Sequence, residues 1–142
     1  MATEAPQAEL KSSIKVWRWV VWFAFLLAWS AALLAPQSVL LAFLGGNGDD
    51  AKPVHVRILD SFLFAKGLHV SAYALAAILS GWLRVAGRWR WALLAFLSAH
   101  AFGTEFFQQF VPGRHGSLRD VGLDHLGLLI GVALSWRWWR GS

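Results

Sequence analysis

Residues 19–35 of this chain read WVVWFAFLLAWSAALLA, seventeen residues without a charged side chain. This length lies at the short end of what an α-helix needs to cross the hydrocarbon core of a bilayer, which is roughly 17–25 residues. Pro36 follows at once, and because proline lacks an N–H and disfavours helix in the residue before it, we expect the helix to end there. The stretch therefore predicts a membrane-spanning helix.

The composition of the 142-residue chain also indicates a membrane protein. Hydrophobic residues make up 57% of the chain and charged residues 15%, whereas soluble proteins have roughly 45–50% and 25%. The chain has no Cys, which excludes a disulfide scaffold, a thiolate nucleophile and a cysteine-ligated metal. The net charge of +5 would suit nucleic-acid binding in a soluble protein, but in so apolar a chain the positions of the basic residues matter more.

Three further apolar runs follow the first one. Together they predict an all-α protein with a single antiparallel four-helix membrane domain over residues 17–140. We expect its spans at about residues 17–35, 61–83, 91–110 and 120–136.

The remaining segments predict exposed or interfacial structure. Residues 1–16 are polar and predict a solvated N-terminal tail. Residues 38–44 are apolar but too short to span, and predict an interfacial or re-entrant segment. The glycine-rich residues 45–53 are a loop by composition. A secretory signal peptide is the alternative for the N-terminal part, since basic residues precede its apolar run and small residues follow it.

The basic residues indicate an orientation, because cytoplasmic loops of membrane proteins carry an excess of Lys and Arg. With the N-terminus in the cytoplasm, the inner side receives Lys11, Lys15, Arg18, Arg84, Arg88, Arg90, Arg137 and Arg140. The outer side receives Lys52, Arg57, Arg114 and Arg119. This bias predicts that both termini are cytoplasmic. The Trp and Arg residues at 136–140 are then an interfacial anchor, and we expect no nucleic-acid partner.

The polar side chains within the predicted spans converge near one membrane surface. Such residues are costly in a bilayer and usually face a bundle interior or a water-filled cavity. In the orientation above they lie in the outer halves of spans two to four: Lys66, His69 and Tyr73, then Glu105, Gln108 and Gln109, then Asp120, Asp124 and His125. Helical spacing places the first two sets on one face each. We therefore expect a polar pocket in the outer leaflet, open to the outer side.

The last span carries a stripe of four residues at helical spacing. Asp120, Asp124, Gly127 and Gly131 stand at i, i+4, i+7 and i+11. Small residues let another backbone approach closely where membrane helices touch. A neighbouring helix is therefore expected to pack against the two glycines.

Three motifs of fixed spacing lie between about residues 60 and 135. They are Lys66-x-x-His69-x-x-x-Tyr73, Glu105-x-x-Gln108-x-Phe110-x-Pro112-Gly113-Arg114 and Asp120-x-x-x-Asp124-x-x-Gly127-x-x-x-Gly131. In order and spacing they resemble the VanZ-like family of small bacterial membrane proteins. Two positions depart from the family, which commonly has Asp where this chain has Ala65 and Asn where it has Asp124.

The resemblance implies a multi-pass protein of the bacterial inner membrane with a role in the cell envelope. The founding member of the family is linked with resistance to the glycopeptide teicoplanin. We therefore expect the pocket to bind or modify a lipid-linked precursor or a glycopeptide-type amphiphile. The candidate catalytic residues, which would move protons, are Glu105, His69 and Asp124. The candidate binding residues are Lys66, Tyr73, Gln108, Arg114 and Asp120, of which Lys66 and Arg114 would hold anionic groups.

Structural alternatives exist for the charged residues. Lys66 could pair with Glu105 or Asp124, which would make its burial tolerable. Glu105 could simply accept hydrogen bonds from Lys66 and His69. Arg114 could form a salt bridge with Asp120 that fixes the loop between the last two spans.

Other chemistry has less support in the sequence. His69, Glu105, Asp120, Asp124 and His125 are adequate metal ligands if three of them converge, but no compact motif such as HExxH is present, so the sequence predicts no metal and no cofactor. His100 stands alone among apolar residues and is predicted to be a hydrogen-bonded packing residue, with axial ligation of haem or a pigment as the alternative. Ser98 has no evident local base for nucleophilic catalysis.

A second class of function is also open. The chain could be a non-catalytic accessory subunit of a larger membrane complex, in which the polar cluster holds the helices together. Ten Trp and ten Phe provide lateral surface for lipid, pigment or partner helices. In that case mutual pairing would close the polar cluster and leave no pocket. The residues alone leave open whether the chain catalyses a reaction.

Overall fold

A computed structural model describes residues 4–36, 38–39, 54–85 and 87–140. These residues form helices and no strand. The helices are α1 (Glu4–Leu34), α2 (Val54–Trp82), α3 (Arg88–Gln108), α4 (Leu118–Leu134) and the short α5 (Trp136–Arg140). Only residues 38–39 of the predicted interfacial segment 38–44 are described, and the predicted loop 45–53 lies outside the described residues.

Helix α1 begins earlier than its apolar run. It starts at Glu4, so the backbone of residues 4–16 is helical, where the sequence predicted a tail. The physical reason is that Glu, Gln, Leu, Lys and Ala, which favour helix, dominate this segment, and its Pro6 lies in the first turn, where proline is tolerated. The helix ends at Leu34, just before Ala35-Pro36, as predicted.

Two of the described helices are long and apolar enough to cross a membrane. They are the segments Lys15–Leu34 of α1 and Leu63–Trp82 of α2. Helices α3 and α4 have 21 and 17 residues and coincide approximately with the third and fourth predicted spans. The described part of the chain is thus all-helical, with two helices that fit a membrane by length and composition.

Successive long helices run in opposite directions. At one end of the bundle, the Arg18 guanidinium of α1 donates to the Trp82 carbonyl at the end of α2, at 3.2 Å. At the same end, Arg90 at the start of α3 donates to the Trp139 carbonyl in α5. We call this the basic end. At the opposite end, Arg114 in the loop before α4 reaches the last turn of α1. Helices α2 and α4 therefore run parallel to each other.

The glycine stripe of α4 packs directly against α2, as expected. The backbone carbonyls of Val70 and Ala74 approach Gly127 and Gly131 so closely that a side chain at either glycine would collide with them. A Cβ at Gly131 would also lie 2.7 Å from the Ala77 Cβ. This close approach fixes the register between the two parallel helices.

Apolar side chains lie both in the core and over the outside of the helix bundle. The core contains Trp22, Leu26, Leu97 and Leu128 together with small alanines, and the buried polar residues also lie inside. Large apolar side chains cover the outside, among them Leu27 at 71% exposure and Leu129 at 70%. Apolar surface of this extent is typical of a protein that contacts lipid or partner helices.

Candidate functional site

The structure brings the three predicted catalytic residues together. His69 Nδ1 lies 2.8 Å from Asp124 Oδ1 and 3.9 Å from Glu105 Oε1. The three residues come from α2, α4 and α3, and all are buried, with exposures of 7% for His69, 0% for Asp124 and 3% for Glu105. We call this group the buried triad. It lies toward the end of the bundle opposite the basic end.

The glycine stripe explains why His69 meets Asp124. Gly127 packs against the carbonyl of Val70, the residue after His69. Asp124 precedes Gly127 by almost one helical turn, so the parallel register carries its carboxylate to the level of His69. The contact between His69 and Asp124 therefore depends on Gly127 and Gly131, the two small residues that follow Asp124 along α4.

Glu105 is held by the loop that leads into α4. Its Oε2 accepts a hydrogen bond of 2.7 Å from the backbone N–H of Ser117. Ser117 is also the N-cap of α4, since its Oγ accepts from the Asp120 N–H at 3.1 Å. Gly116 packs so closely on the Glu105 backbone that a side chain there would collide with it. One carboxylate oxygen of Glu105 is thus fixed, and the other, Oε1, faces His69.

Lys66 forms an ion pair with Asp120, a partner that the sequence interpretation did not name. The reason is again the register of α2 and α4. Lys66 stands about one turn before His69, and Asp120 stands one turn before Asp124, so each residue meets the partner at its own level. His69 Nδ1 lies 3.9 Å from Glu105 Oε1, which is too long for the hydrogen bond that the sequence interpretation allowed between these two residues.

Arg114 does not pair with Asp120, and that predicted salt bridge is wrong as well. Its Nη2 donates to the Ala32 carbonyl at 3.0 Å, and its Nε donates to the Ala35 carbonyl at 3.3 Å. The last carbonyls of a helix lack intrahelical partners and carry partial negative charge, which favours a cation there. Burial lowers the pKa of Arg114, and the neighbouring Glu105 opposes that shift. The side chain nevertheless remains a cation at neutral pH, and it ties the loop to α1.

Tyr73 belongs to a second polar network, not to the triad. Its hydroxyl lies 2.9 Å from His100 Nδ1 and 3.4 Å from Thr104 Oγ1. His100 Nε2 lies 2.8 Å from Ser30 Oγ, whose own proton goes to the Leu26 carbonyl. His100 therefore donates from Nε2 to Ser30 and accepts at Nδ1 from Tyr73. Both ring nitrogens are engaged, as the interpretation of His100 as a packing residue predicts.

Gln108 and His125 complete the set of predicted polar residues. Gln108 is 3% exposed, and its Nε2 has no hydrogen-bond partner within the described ranges. His125 Nδ1 donates to the Val121 carbonyl at 2.7 Å, and its Nε2 accepts from Ser98 Oγ at 2.7 Å. Ser98 thus has a histidine neighbour, contrary to the sequence interpretation. Local spacing cannot show it, because the two residues lie on different helices.

A groove lies between the end of α3, the following loop and the start of α4. Its volume is about 380 Å³, and it is lined by Phe102, Glu105, Phe106, Gln109, Gly116, Ser117, Leu118 and Val121. The sequence predicted instead a pocket enclosed by the polar faces of three spans. Those faces pack against each other, and of the buried triad only Glu105 is among the residues that line the groove.

Ser30, Thr104 and Ser117 are polar partners that the sequence interpretation missed. Ser117 has a detectable signal, since Ser three residues before Asp at the start of an apolar run is typical of a helix N-cap. Ser30 and Thr104 have no such signal in the sequence, because each lies inside a helix and meets its partners on other helices only through packing.

Comparison of the chain with family models, curated proteins and solved structures finds no significant match. The resemblance to the VanZ-like family therefore stays a prediction that rests on the three motifs.

Proposed function

We propose that the chain is a VanZ-like multi-pass protein of the bacterial inner membrane, with four spans and both termini in the cytoplasm. In this proposal it binds or modifies an amphiphilic component of the cell envelope in the groove beside Glu105. The component would be a lipid-linked precursor or a glycopeptide-type amphiphile.

Helices α3 and α4 have features that support two further spans. At 1.5 Å per residue they are about 32 Å and about 26 Å long, against a hydrocarbon core of about 30 Å. Both carry large exposed apolar side chains, including Phe102, Phe106, Leu129 and Leu134. Many arginines lie at or next to the basic end, where the positive-inside rule would put the cytoplasm.

The observation that carries the proposal is the position of Glu105. Glu105 belongs to the buried triad through its Oε1 and is also one of the residues that line the groove. Phe102, Phe106, Leu118 and Val121 provide apolar walls for an acyl chain or a similar body. A polar headgroup at the floor of the groove would then meet Glu105, with the hydrogen-bonded pair of His69 and Asp124 directly behind it as a proton relay.

A bulky side chain in the groove tests this proposal. Leu118→Trp adds volume at the groove, whereas Leu134→Trp makes the same change at an exposed site on the other end of α4. Each full-length variant is purified in mild detergent and analysed by native mass spectrometry for bound lipid. We expect Leu118→Trp to lose an amphiphile that the wild-type protein and Leu134→Trp retain. Equal retention by all three proteins would contradict the proposal.

A second test concerns the phenotype. Glu105→Gln keeps the shape of the side chain but removes its charge. We expect this variant to abolish any change in teicoplanin susceptibility that the wild-type chain confers on a susceptible bacterial host, at equal protein level in the membrane. Preserved protection would exclude a role of the Glu105 carboxylate.

The accessory-subunit hypothesis remains a second candidate, because one observation favours it. Lys66 with Asp120 and His69 with Asp124 are paired within the chain, as internal packing predicts. An apolar groove of about 570 Å³ near the basic end, lined by Trp19, Trp22, Phe23, Trp89, Phe96 and smaller residues, offers lateral surface for a partner helix, lipid or pigment. Recovery of a stoichiometric large protein after mild solubilisation would support this candidate over the first.

A further inference from the structure

We propose that the buried triad of His69, Glu105 and Asp124 binds one divalent metal ion. The sequence predicted no metal, because the three ligands are spread over three helices. The tertiary structure brings them together at the junction of α2, α3 and α4.

The distances suit a single ion. One ligand atom from each residue lies within 4.8 Å of the other two. His69 Nδ1 is 2.8 Å from Asp124 Oδ1 and 3.9 Å from Glu105 Oε1. Metal–ligand bonds of about 2.0–2.2 Å place two ligands of the same ion about 3–4 Å apart. Small side-chain adjustments would therefore complete the coordination.

Two carboxylate oxygens provide an independent observation. Glu105 Oε1 and Asp124 Oδ2 are buried, and neither has a hydrogen-bond partner within the described parts of the chain. A buried acceptor without a partner is costly, and more so when it carries charge. Glu105 Oε1 faces His69 Nδ1, so it is directed into the triad. A metal ion there would satisfy such an oxygen.

The charges around the triad lead to the same inference. Glu105 and Asp124 bring two negative charges into the bundle. The nearby cations are engaged elsewhere, since Lys66 pairs with Asp120 and Arg114 binds the carbonyls of α1. A divalent ion with a neutral imidazole ligand would balance the two carboxylates. The hydrogen bond between His69 and Asp124 would give way to two bonds to the metal.

The ligand types indicate which ions to test. Imidazole suits Zn²⁺ and other transition metals, whereas carboxylates also suit Mn²⁺ and Mg²⁺. A site of one imidazole and two carboxylates therefore favours Zn²⁺ or Mn²⁺ over a cation that prefers oxygen alone.

The site would also have an open side. Three protein ligands with a free coordination position are typical of catalytic rather than structural zinc sites. Because Glu105 also lines the groove, an ion held by Glu105 would lie next to it. If the proposed function holds, the ion would replace the proton relay of His69 and Asp124 and would let an acidic groove floor accept an anionic headgroup, such as a phosphate or a carboxylate.

The test measures metal directly. The full-length chain is purified in mild detergent, stripped with a chelator and titrated with Zn²⁺ or Mn²⁺, and bound metal is quantified by elemental mass spectrometry and chelator competition. We expect one ion per chain, with at least a tenfold loss of affinity in His69→Gln and Asp124→Asn. The matched control His125→Gln changes a neighbouring histidine that bonds Val121 and Ser98, and should keep wild-type affinity.

Folding is checked in parallel by tryptophan fluorescence and thermal unfolding. In the wild-type protein, added metal should raise the unfolding temperature in a concentration-dependent way, because the ion binds only the folded chain. That shift should be lost in Asp124→Asn, which is close to the native residue in shape. Equal metal binding by wild type and both triad variants, or no binding by the wild type, would overturn the proposal.

The two proposals fail separately. If the chain binds metal but no amphiphile whose retention depends on the groove, the metal site is supported and the proposed function is contradicted. If the chain retains the amphiphile but binds no metal, only the proposed metal site is contradicted.

Discussion

His69 Nδ1 and Asp124 Oδ1 lie 2.8 Å apart, although the two residues are separated by 55 positions in the chain. The contact is one of several that join the parallel helices α2 and α4. Lys66 meets Asp120 about one turn before it, and the carbonyl of Val70, the residue after His69, meets Gly127, which lies almost one turn beyond Asp124. The polar pairs and the glycine contacts therefore depend on the same register between α2 and α4.

The close packing of Gly131 against α2 can be tested by the addition of a single methyl group at this position. Gly131→Ala places a Cβ against the Ala77 Cβ and the Ala74 carbonyl, so the helices must separate. Overpacking of this kind costs about 1–3 kcal/mol. We expect thermal unfolding in detergent at a lower temperature than for the wild type.

The matched control is Gly122→Ala on the same helix. A Cβ at Gly122 meets nothing within 4 Å, and alanine is a better helix former than glycine by about 1 kcal/mol. We expect Gly122→Ala to be neutral or stabilising. A similar loss of stability in both variants would show that the close packing of Gly131 is not the cause.

Arg114 is expected to stabilise the fold and not to hold a ligand. Arg114→Ala removes two hydrogen bonds to the last turn of α1. Hydrogen bonds that involve a charged group contribute about 1.5–3 kcal/mol each, so the variant should unfold at a clearly lower temperature. Arg114→Lys should restore only part of the loss, because an ammonium group lacks the planar fork of the guanidinium. Unchanged stability combined with loss of a bound amphiphile would instead favour the original ligand-binding role.

The pair of Lys66 and Asp120 can be measured by a double-mutant cycle. The side chain of Lys66 is 23% exposed and that of Asp120 is 8% exposed, so this is a largely buried pair. Either single substitution removes this ion pair from a largely buried position, and we expect Lys66→Met and Asp120→Leu each to be destabilising. The double variant should recover much of the loss, because an apolar pair of similar volume often replaces a buried ion pair at little cost. Additive losses would show that the two side chains do not interact.

The sequence predicted the polar residues better than their partners. Helical spacing placed Lys66 with His69, and Asp120 with Asp124, on the faces that do turn inward. The sequence did not name Asp120 as the partner of Lys66, and the predicted salt bridge between Arg114 and Asp120 was wrong, because such pairings depend on the relative height and direction of the helices. The position of Gly127 and Gly131 was the useful signal, since it correctly predicted where another backbone comes close.

The sequence predicted one end of helix α1 correctly and the other end incorrectly. The end of α1 before Pro36 follows from the chemistry of proline and was correct. The predicted start of α1 at about residue 17 was wrong: the helix begins at Glu4, because residues that favour helix dominate this polar segment and its proline lies in the first turn, where it is tolerated.

The sequence by itself determined the helical character of the described residues, the presence of helices apolar enough to cross a membrane, and the position of the charged residues of the predicted spans two to four toward one end. These features depend on local composition and periodicity. Only the tertiary structure decided that His69, Glu105 and Asp124 form one buried triad, and that Glu105 alone reaches a groove. Such contacts join α2, α3 and α4, and their geometry depends on how closely the glycines allow two backbones to approach.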